Sequence, residues 1–430
     1  MVQETVAAVR AAAIDVVRTS FRDERVVTLF ESCFDHSVSG TLRVMDDGSA
    51  FVITGDIPAM WLRDSACQMR HLLPFAAEVP AVADLMSAVL RRQMRYLTTD
   101  PYANAFNVAP DGAGHRDAPT DSPWVWERKY EVDSLAHPFH LGYQLYRQTG
   151  TAPWFDDVAL AAGRAMIATI RTEQFHETRS AYRFTRPDTP VRSDMLVRGG
   201  RGALTAPTGL TWSGFRPSDD AQTYGYHVPG NAFAAVALGE VADLVETLAG
   251  DTRTAAEARQ TRAELIAALN EHGQFTHPEA GQAWWYEVDG RGNGLFMDDA
   301  NLPSLLSLPL LGFCPPDDPV YLATRRLVLS PVNPSFFTGP RGKGVGSPHT
   351  PAGHVWPLAL CVEGLTAISA SERERVLAQL MDSHAGTGVM HESFSCQDPA
   401  VFTRPWFSWA NAMFCELVLA LCGRPGPGVR

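Results

Sequence analysis

An alternation of two kinds of helical segment constrains the fold of this chain more than any other feature. Six mainly apolar segments each follow a loop that is dense in polar and aromatic residues. These segments are 66–76, 135–150, 231–250, 302–312, 355–369 and 412–423. Segments with a charged face lie between them, at 1–21, 79–97, 152–174, 251–273, 316–330 and 371–384. Apolar helices pack inside a protein, and helices with a charged face pack outside.

Six inner and six outer helices in alternation predict an all-α (α/α)6 toroid, a six-hairpin barrel, over other all-α arrangements. Short β-hairpins decorate it, the clearest at 41–54 with its turn at Asp46, Asp47 and Gly48, and a further strand is expected near residue 282. No charged or low-complexity linker interrupts the sequence. We therefore expect residues 1–430 to form a single domain.

Charge, hydropathy and cysteine content exclude several classes of binding partner and cellular location. The net charge of −12 argues against nucleic acid as a partner. The sequence contains no apolar run of 18 residues, and the N-terminal segment 1–21 carries charges throughout its apolar pattern, which excludes a signal-peptide core. The seven cysteines of the sequence are scattered, which does not suit a disulfide framework. We expect a cytoplasmic monomer that binds neither nucleic acid nor membrane.

Because the inner helices of a toroid run parallel, the loops that precede them gather at one end. These loops combine carboxylates, tryptophans, tyrosines, arginines and histidines. Charged side chains hold sugar hydroxyls through charge-assisted hydrogen bonds, and aromatic rings cover the apolar face of a sugar ring. The mixture predicts a carbohydrate site better than a nucleotide or lipid site.

Metal and cofactor motifs do not fit the chain. The pairs Asp219-Asp220 and Asp298-Asp299 invite comparison with magnesium-binding aspartate motifs, but no third carboxylate follows one helical turn later. His137 and His140 have no glutamate between them, which is unlike a zinc-binding protease helix. No phosphate-binding glycine loop follows a strand. We predict neither a metal nor a cofactor.

Two carboxylates on opposite sides of a glycosidic bond are the remaining chemistry, one acting as an acid and the other as a base that activates water. Asp219 or Asp220 is the candidate acid, although either could instead cap the following helix. Glu392, between His391 and Ser393, is the candidate base, and the alternative for it is a surface acid.

Six long motifs in order resemble glycoside hydrolase family 125. They are "TGDIPAMWLRDS", "WERKYEVDSL", "TWSGFRPSDDAQTYGY", "MDDANLPSLLSLPLLG", "GVGSPHTPAGHVWPLAL" and "GVMHESFSCQDPAVFTRPWFSWANAMFCELV". The resemblance spans residues 30–420. It implies an (α/α)6 barrel and a metal-independent, inverting exo-α-1,6-mannosidase. It also implies that an aspartate of "RPSDD" is the acid and that the glutamate of "HES" is the base.

"WLRDS" also looks like the motif with which glucoamylases hold a terminal sugar, which implies that Arg63 and Asp64 bind it; a structural ion pair is the alternative. Within the motifs we expect further substrate contacts from Trp61, Glu131, Trp212, Arg216, Tyr224, Asp299, Asn301, His349 and His391. The expected partners are α-1,6-linked mannosides. An inverting exo-α-glucosidase and an inactive glycan-binding protein remain as alternatives.

Overall fold

The computed structural model describes residues 2–120, 122–187 and 189–428. Helices dominate these ranges. They are α1 (Val2–Ser20), α2 (Glu24–Val38), α3 (Leu62–Met69), α4 (Pro80–Thr99), α5 (Val132–Thr149), α6 (Asp157–Glu173), α7 (His176–Arg179), α8 (Val197–Gly200), α9 (Val228–Ala249), α10 (Thr252–His272), α11 (Pro319–Val328), α12 (Pro357–Leu365), α13 (Ala370–Ser383) and α14 (Ser408–Leu421). Short 3-10 helices follow at Arg70–Phe75 and Arg192–Asp194.

The strands are short and pair locally in twos and threes. They are β1 (Leu42–Val44), β2 (Ala50–Val52), β3 (Met60–Trp61), β4 (Ala105–Phe106), β5 (Val125–Glu127), β6 (Tyr226–His227), β7 (Gln274–His277), β8 (Gly281–Trp284), β9 (Glu287–Val288), β10 (Gly294–Leu295), β11 (Phe336–Gly339), β12 (Gly342–Val345), β13 (His354–Val355), β14 (Ser393–Ser395) and β15 (Phe402–Thr403). Strands β1 and β2 form the hairpin predicted at 41–54, and β8 lies where a strand was expected.

Five of the six apolar segments are helical and buried. They correspond to α3 with its 3-10 extension, α5, α9, α12 and α14, and all nine residues of α12 are buried. The charged segments form α1, α4, α6, α10, α11 and α13, which keep exposed residues along their length, although α4 is buried on all sides between Leu85 and Leu90. The burial therefore follows the pattern that the sequence predicts for inner and outer helices.

The segment 302–312 is the exception, because it folds as successive turns and not as the sixth inner helix. It contains two prolines, which lack the backbone N–H that a helix needs. Two more backbone N–H groups are used outside a helix, because those of Leu305 (2.8 Å) and Leu306 (3.0 Å) donate hydrogen bonds to the carboxyl group of Asp298. An apolar run is thus buried without a continuous ladder of helical hydrogen bonds, although the Leu311 N–H donates to the carbonyl of Ser307 at 3.0 Å.

A continuous cluster of buried apolar side chains runs from Val6 in α1 to Leu419 in α14. The second N-terminal helix, α2, begins at its N-cap Asp23 and packs against α14. Among the described residues, no helix is both long and apolar enough to cross a membrane.

Three of the small sheets tie together the loops that precede the inner helices. Strand β3 pairs with β4 next to Trp61, β6 pairs with β9 at His227 and Glu287, and β14 lies between β13 and β15 directly after Glu392. Backbone pairing therefore fixes these loops beside one another.

Two glycines, one in α5 and one in α6, test how tightly these two helices are packed. A Cβ on Gly142 of α5 would lie 2.4 Å from the buried ring of Trp154, whereas a Cβ on Gly163 of α6 would make an ordinary 3.4 Å contact with Val241. We expect Gly142→Ala to lower the free energy of unfolding by about 1–3 kcal/mol through overpacking. Gly163→Ala should raise it by about 0.5–1 kcal/mol through helix propensity. Urea unfolding measures both, and equal effects would contradict this packing.

Candidate active site

A cavity of about 520 Å³ opens where the loops meet. All six loops that precede the apolar segments contribute to its wall. Half of the fourteen residues predicted from the sequence lie on this wall, and they are Trp61, Arg63, Asp64, Asp219, Asn301, His349 and Glu392. The cavity therefore collects residues that lie more than 300 positions apart in the chain.

Arg63, near the start of α3, is the charged centre of the cavity wall. Its side chain is 3% exposed, and four carboxyl groups surround it. Nη1 pairs with Glu131 and lies 3.4 Å from Asp133, Nη2 lies 3.3 Å from Asp219, and Nε lies 3.6 Å from Asp64. Among the described residues, no group of three or more His, Cys, Asp or Glu side chains is arranged to hold a metal ion.

One guanidinium cannot neutralise four carboxylates, and the pKa values of the four carboxyl groups shift in different directions. Burial raises the pKa of Asp64 and of Asp133 to about 6, despite the nearby charge of Arg63. Burial raises the pKa of Glu131 well above its usual range; Arg63 opposes this, and the charges of Asp219 and Asp133 add to it. Burial also acts to raise the pKa of Asp219, but Arg63 and a hydrogen bond with Glu131 outweigh it and lower that pKa.

Asp219 lies at the tip of a tight loop before β6. Phe215 and Ala221 pair across the loop, and the Asp219 N–H donates to the carbonyl of Arg216 at 2.9 Å. The backbone of Asp219 has a φ of 65°, in the left-handed region that non-glycine residues rarely adopt. Such strain is found at functional positions, and here it holds a 23% exposed carboxyl group against the cavity.

Asp220 points to a different partner. Its Oδ1 lies 3.3 Å from Nδ1 of His349, and its side chain is 6% exposed and does not line the cavity. Burial lowers the pKa of His349, but Asp220, with Glu392 and Asp219 behind it, raises the pKa to about 9. His349 is therefore a cation at neutral pH, and it stands among three carboxyl groups.

Glu392 enters the cavity from the residue that precedes β14. Nη1 of Arg404 lies 3.4 Å from its Oε1, while the same guanidinium donates to Asp56 (3.0 Å from Nε) and to Thr54 (2.7 Å from Nη2). Arg404 has a φ of 39° and stacks over the ring of Phe407 at 4.6 Å. The candidate base is thus held by a cation whose own position is fixed on three sides.

Seven predicted residues lie behind the wall or away from it, Asp220 among them. Trp212 is buried against the ring of His176, and Glu287 holds the guanidinium of Arg216 and the N–H of Tyr224. Asp299 accepts from Ser218, His391 stacks on Phe402, and Glu131 is fully buried under Arg63. The direct substrate contacts expected of these six residues stay predictions, since the structure places the six outside the cavity wall, where the contacts named above join them to neighbouring loops.

Several wall residues were not predicted as site residues: Trp126, Lys129, Asp194, Arg404 and Trp409. Lys129 carried a usable signal, since it is one of only two lysines in the sequence and follows the apolar-aromatic "WVWER". Its ammonium lies 2.7 Å from Asp194 and 3.7 Å from Glu127. Trp126, Arg404 and Trp409 belong to the quoted motifs but have no distinguishing pattern, and Asp194 lies outside those motifs.

The cavity wall offers hydrogen-bond donors that the described part of the chain does not use. The indole N–H groups of Trp61, Trp126 and Trp409 and the Nε of Arg63 are buried and have no hydrogen-bond partner among the described residues. Since buried polar groups are normally bonded, these donors favour a ligand rich in oxygen acceptors. Aromatic rings beside them provide apolar faces.

The model of the metal-independent α-mannosidase family (GH125) matches residues 23–419. The meiotically up-regulated gene 157 protein of Schizosaccharomyces pombe is 38% identical over 434 residues, which cover 96% of this chain and 85% of the yeast protein.

Solved structures give the same grouping. A Streptococcus pneumoniae metal-independent α-mannosidase, in a non-productive complex with α-1,6-mannobiose, has 42% identity and a TM-score of 0.94. The match covers 98% of this chain and 100% of that one. A bacterial glucoamylase bound to acarbose has 14% identity and a TM-score of 0.61 over 94% of this chain and 56% of its own, which shows a similar fold.

Replacing Arg63 tests the charge cluster. Arg63→Met leaves buried carboxyl groups without their cation, and we expect it to cost about 3–5 kcal/mol of unfolding free energy near neutral pH. Because the folded pKa values of Asp64 and Asp133 are raised, the folded state favours their protonated forms. The contribution of Asp64 and Asp133 to the free energy of unfolding is largest below their unfolded pKa values, and it is lost as the pH rises through about 6.

Without Arg63 these pKa values rise further, so the loss of stability should be larger at about pH 8 than at about pH 5. Thermal unfolding of the variant and the native chain at both pH values measures the difference. Arg259→Met, which removes an exposed ion pair with Glu246, is the matched control and should change little. A loss that is equal at both pH values would contradict the charge assignment.

Proposed function

The chain belongs to the metal-independent α-mannosidases of glycoside hydrolase family 125, and on that basis we propose that it is an inverting exo-α-1,6-mannosidase. It removes the terminal mannose from the non-reducing end of α-1,6-linked mannosides. An acid protonates the departing oxygen, and a base activates a water molecule on the opposite face of the sugar.

The observation that carries this proposal is that Asp219 and Glu392 line one cavity. Asp219 is the proton donor and Glu392 is the base. Asp219 lies 3.3 Å from Arg63, which favours its ionised form, but it also hydrogen-bonds the carboxyl group of Glu131, a neighbouring source of a proton. Glu392 faces the guanidinium of Arg404. A nearby cation favours the ionised form that a base needs.

Asp219 is favoured over Asp220 as the acid because only the former lines the cavity. Asp220 acts through His349, whose imidazolium it orients toward the cavity. His349 then donates a hydrogen bond to a mannose hydroxyl or to the reacting centre.

The rest of the wall holds the terminal mannose. Arg63 and Asp64 bind its hydroxyls at the end of the cavity, and Trp61 covers a face of the ring. The unpaired indole donors and the α-1,6-mannobiose bound by the Streptococcus pneumoniae protein support this assignment. A cavity that ends at the buried Arg63 cluster accepts only the end of a chain, which makes the enzyme exo-acting.

The inner helices, completed by the turns of 302–312, close into an (α/α)6 toroid within a single domain. The continuous apolar core and the likeness to a glucoamylase fold support this architecture. The loops before the inner helices then open at one end of the barrel, around the cavity.

Incubation with α-1,6-mannobiose, followed by proton NMR, tests the function and the stereochemistry together. We expect β-mannose to appear first and α-mannose to grow in only through mutarotation. A first product of α-mannose would contradict inversion. A panel of aryl glycosides is the companion measurement, and hydrolysis of α-glucosides in preference to α-mannosides would contradict the sugar assignment.

Separate substitutions test which aspartate is the acid. Asp219→Asn should reduce kcat/KM for mannobiose by roughly 100-fold or more, and should reduce it far less for an aryl mannoside with an activated leaving group, which needs no proton. Asp220→Asn retains the size of the side chain and should affect both substrates to a similar degree. The opposite pattern would make Asp220 the acid.

A further inference from the structure

Glu131 and Asp219 share their hydrogen-bond partners. Arg63 contacts Glu131 through Nη1 and Asp219 through Nη2, the latter at 3.3 Å. Nδ2 of Asn104 lies 3.5 Å from Oε1 of Glu131 and 3.1 Å from Oδ1 of Asp219. A hydrogen bond between the two carboxyl groups is among the causes that raise the pKa of Glu131 and lower that of Asp219. Glu131 is 0% exposed, whereas Asp219 faces the cavity.

A hydrogen bond between two carboxyl groups requires a proton on one of them, because ionised carboxylates are acceptors only. Two carboxylates held this close keep one shared proton to a much higher pH than either would alone. Since Glu131 has no solvent exposure, it is the member of the pair for which ionisation costs more.

The other charged groups around the pair come from four parts of the chain. They are Arg63 and Asp64 of α3, Asp133 of α5, Lys129 before α5, and His349 of the loop before β13. The three cations among them favour the ionised form of Asp219. An acid in this position needs a neighbour that retains its proton.

We propose that Glu131 and Asp219 share one proton, and that Glu131 is a positioning residue which stores this proton for delivery by Asp219. This inference rests on the proposed function, in which Asp219 is the acid. As the glycosidic bond breaks, the shared proton moves from Glu131 to Asp219 and from Asp219 to the departing oxygen, so the pair gives up its one proton in each turnover. Glu392 gains one proton from the attacking water, and solvent exchange restores both sites.

Glu131→Gln keeps the size of the side chain but removes its exchangeable acid proton. The pH profile of kcat/KM for mannobiose then reports the pKa of Asp219 alone among three cations. We expect the basic limb of this profile to move down by about 1–3 pH units. Activity on an activated aryl mannoside, which needs no acid, should keep its basic limb.

Two further variants separate this effect from a change in folding. Glu131→Asp retains a carboxyl group, and its basic limb should stay closer to that of the native chain than the limb of Glu131→Gln, even if the rate falls. Glu363→Gln is the matched control, because Glu363 is likewise a buried carboxyl group paired with an arginine, Arg375, outside the cavity. Its pH profile should be unchanged.

Infrared difference spectroscopy with isotope-labelled glutamate gives a reading that does not depend on activity. Burial raises the pKa of Glu363 to about 7, so the spectrum is taken above about pH 8, where Glu363 is ionised. We expect a neutral carboxyl band there that Glu131→Gln removes and Glu363→Gln retains. If the band is absent from the native chain, or if Glu131→Gln leaves the basic limb in place while mannobiose is still hydrolysed, the shared proton is refuted and the mannosidase function stands. If no mannoside is hydrolysed, the function fails, whatever the spectrum shows.

Discussion

The buried guanidinium of Arg63 is the interaction on which the rest of the site depends. It joins α3 to the beginning of α5, through Glu131 and Asp133, and to the loop that carries Asp219. Bringing four carboxyl groups out of water is costly, and a single cation returns only part of that cost. Burial and the excess negative charge therefore raise the pKa values of Glu131, Asp64 and Asp133, and this is the basis of the shared proton that we propose.

Backbone strain is concentrated at the same place. Among the described residues, the non-glycine positions in the left-handed region are Arg198, Asp219, Ala385 and Arg404. Two of these four line the cavity, one as the proposed acid and the other in contact with the proposed base. Such conformations persist only where the surrounding structure determines them, and here ion pairs and short strands do so.

Several features could be predicted from local patterns. The spacing of apolar residues indicated which helices are buried, and the motifs around Arg63, Asp219 and Glu392 indicated three parts of one site. The pattern failed at 302–312, where side-chain acceptors replace helical hydrogen bonds, a competition that hydrophobicity does not report. It also failed to separate residues on the wall, such as His349, from residues behind it, such as Trp212, because both kinds occur in the same aromatic loops.

The sequence by itself determined five of the six buried helices, the loops that meet at one cavity, and the residue types available for acid and base chemistry. These properties follow from the periodicity of apolar residues and from side-chain composition, which are local. Only the tertiary structure decided that Asp219 and not Asp220 reaches the cavity, that Glu131 lies beneath it, and that Arg404 faces Glu392. The reason is physical: a side chain's direction, burial and charge partners come from segments far away in the chain, and these neighbours set which carboxyl group keeps its proton.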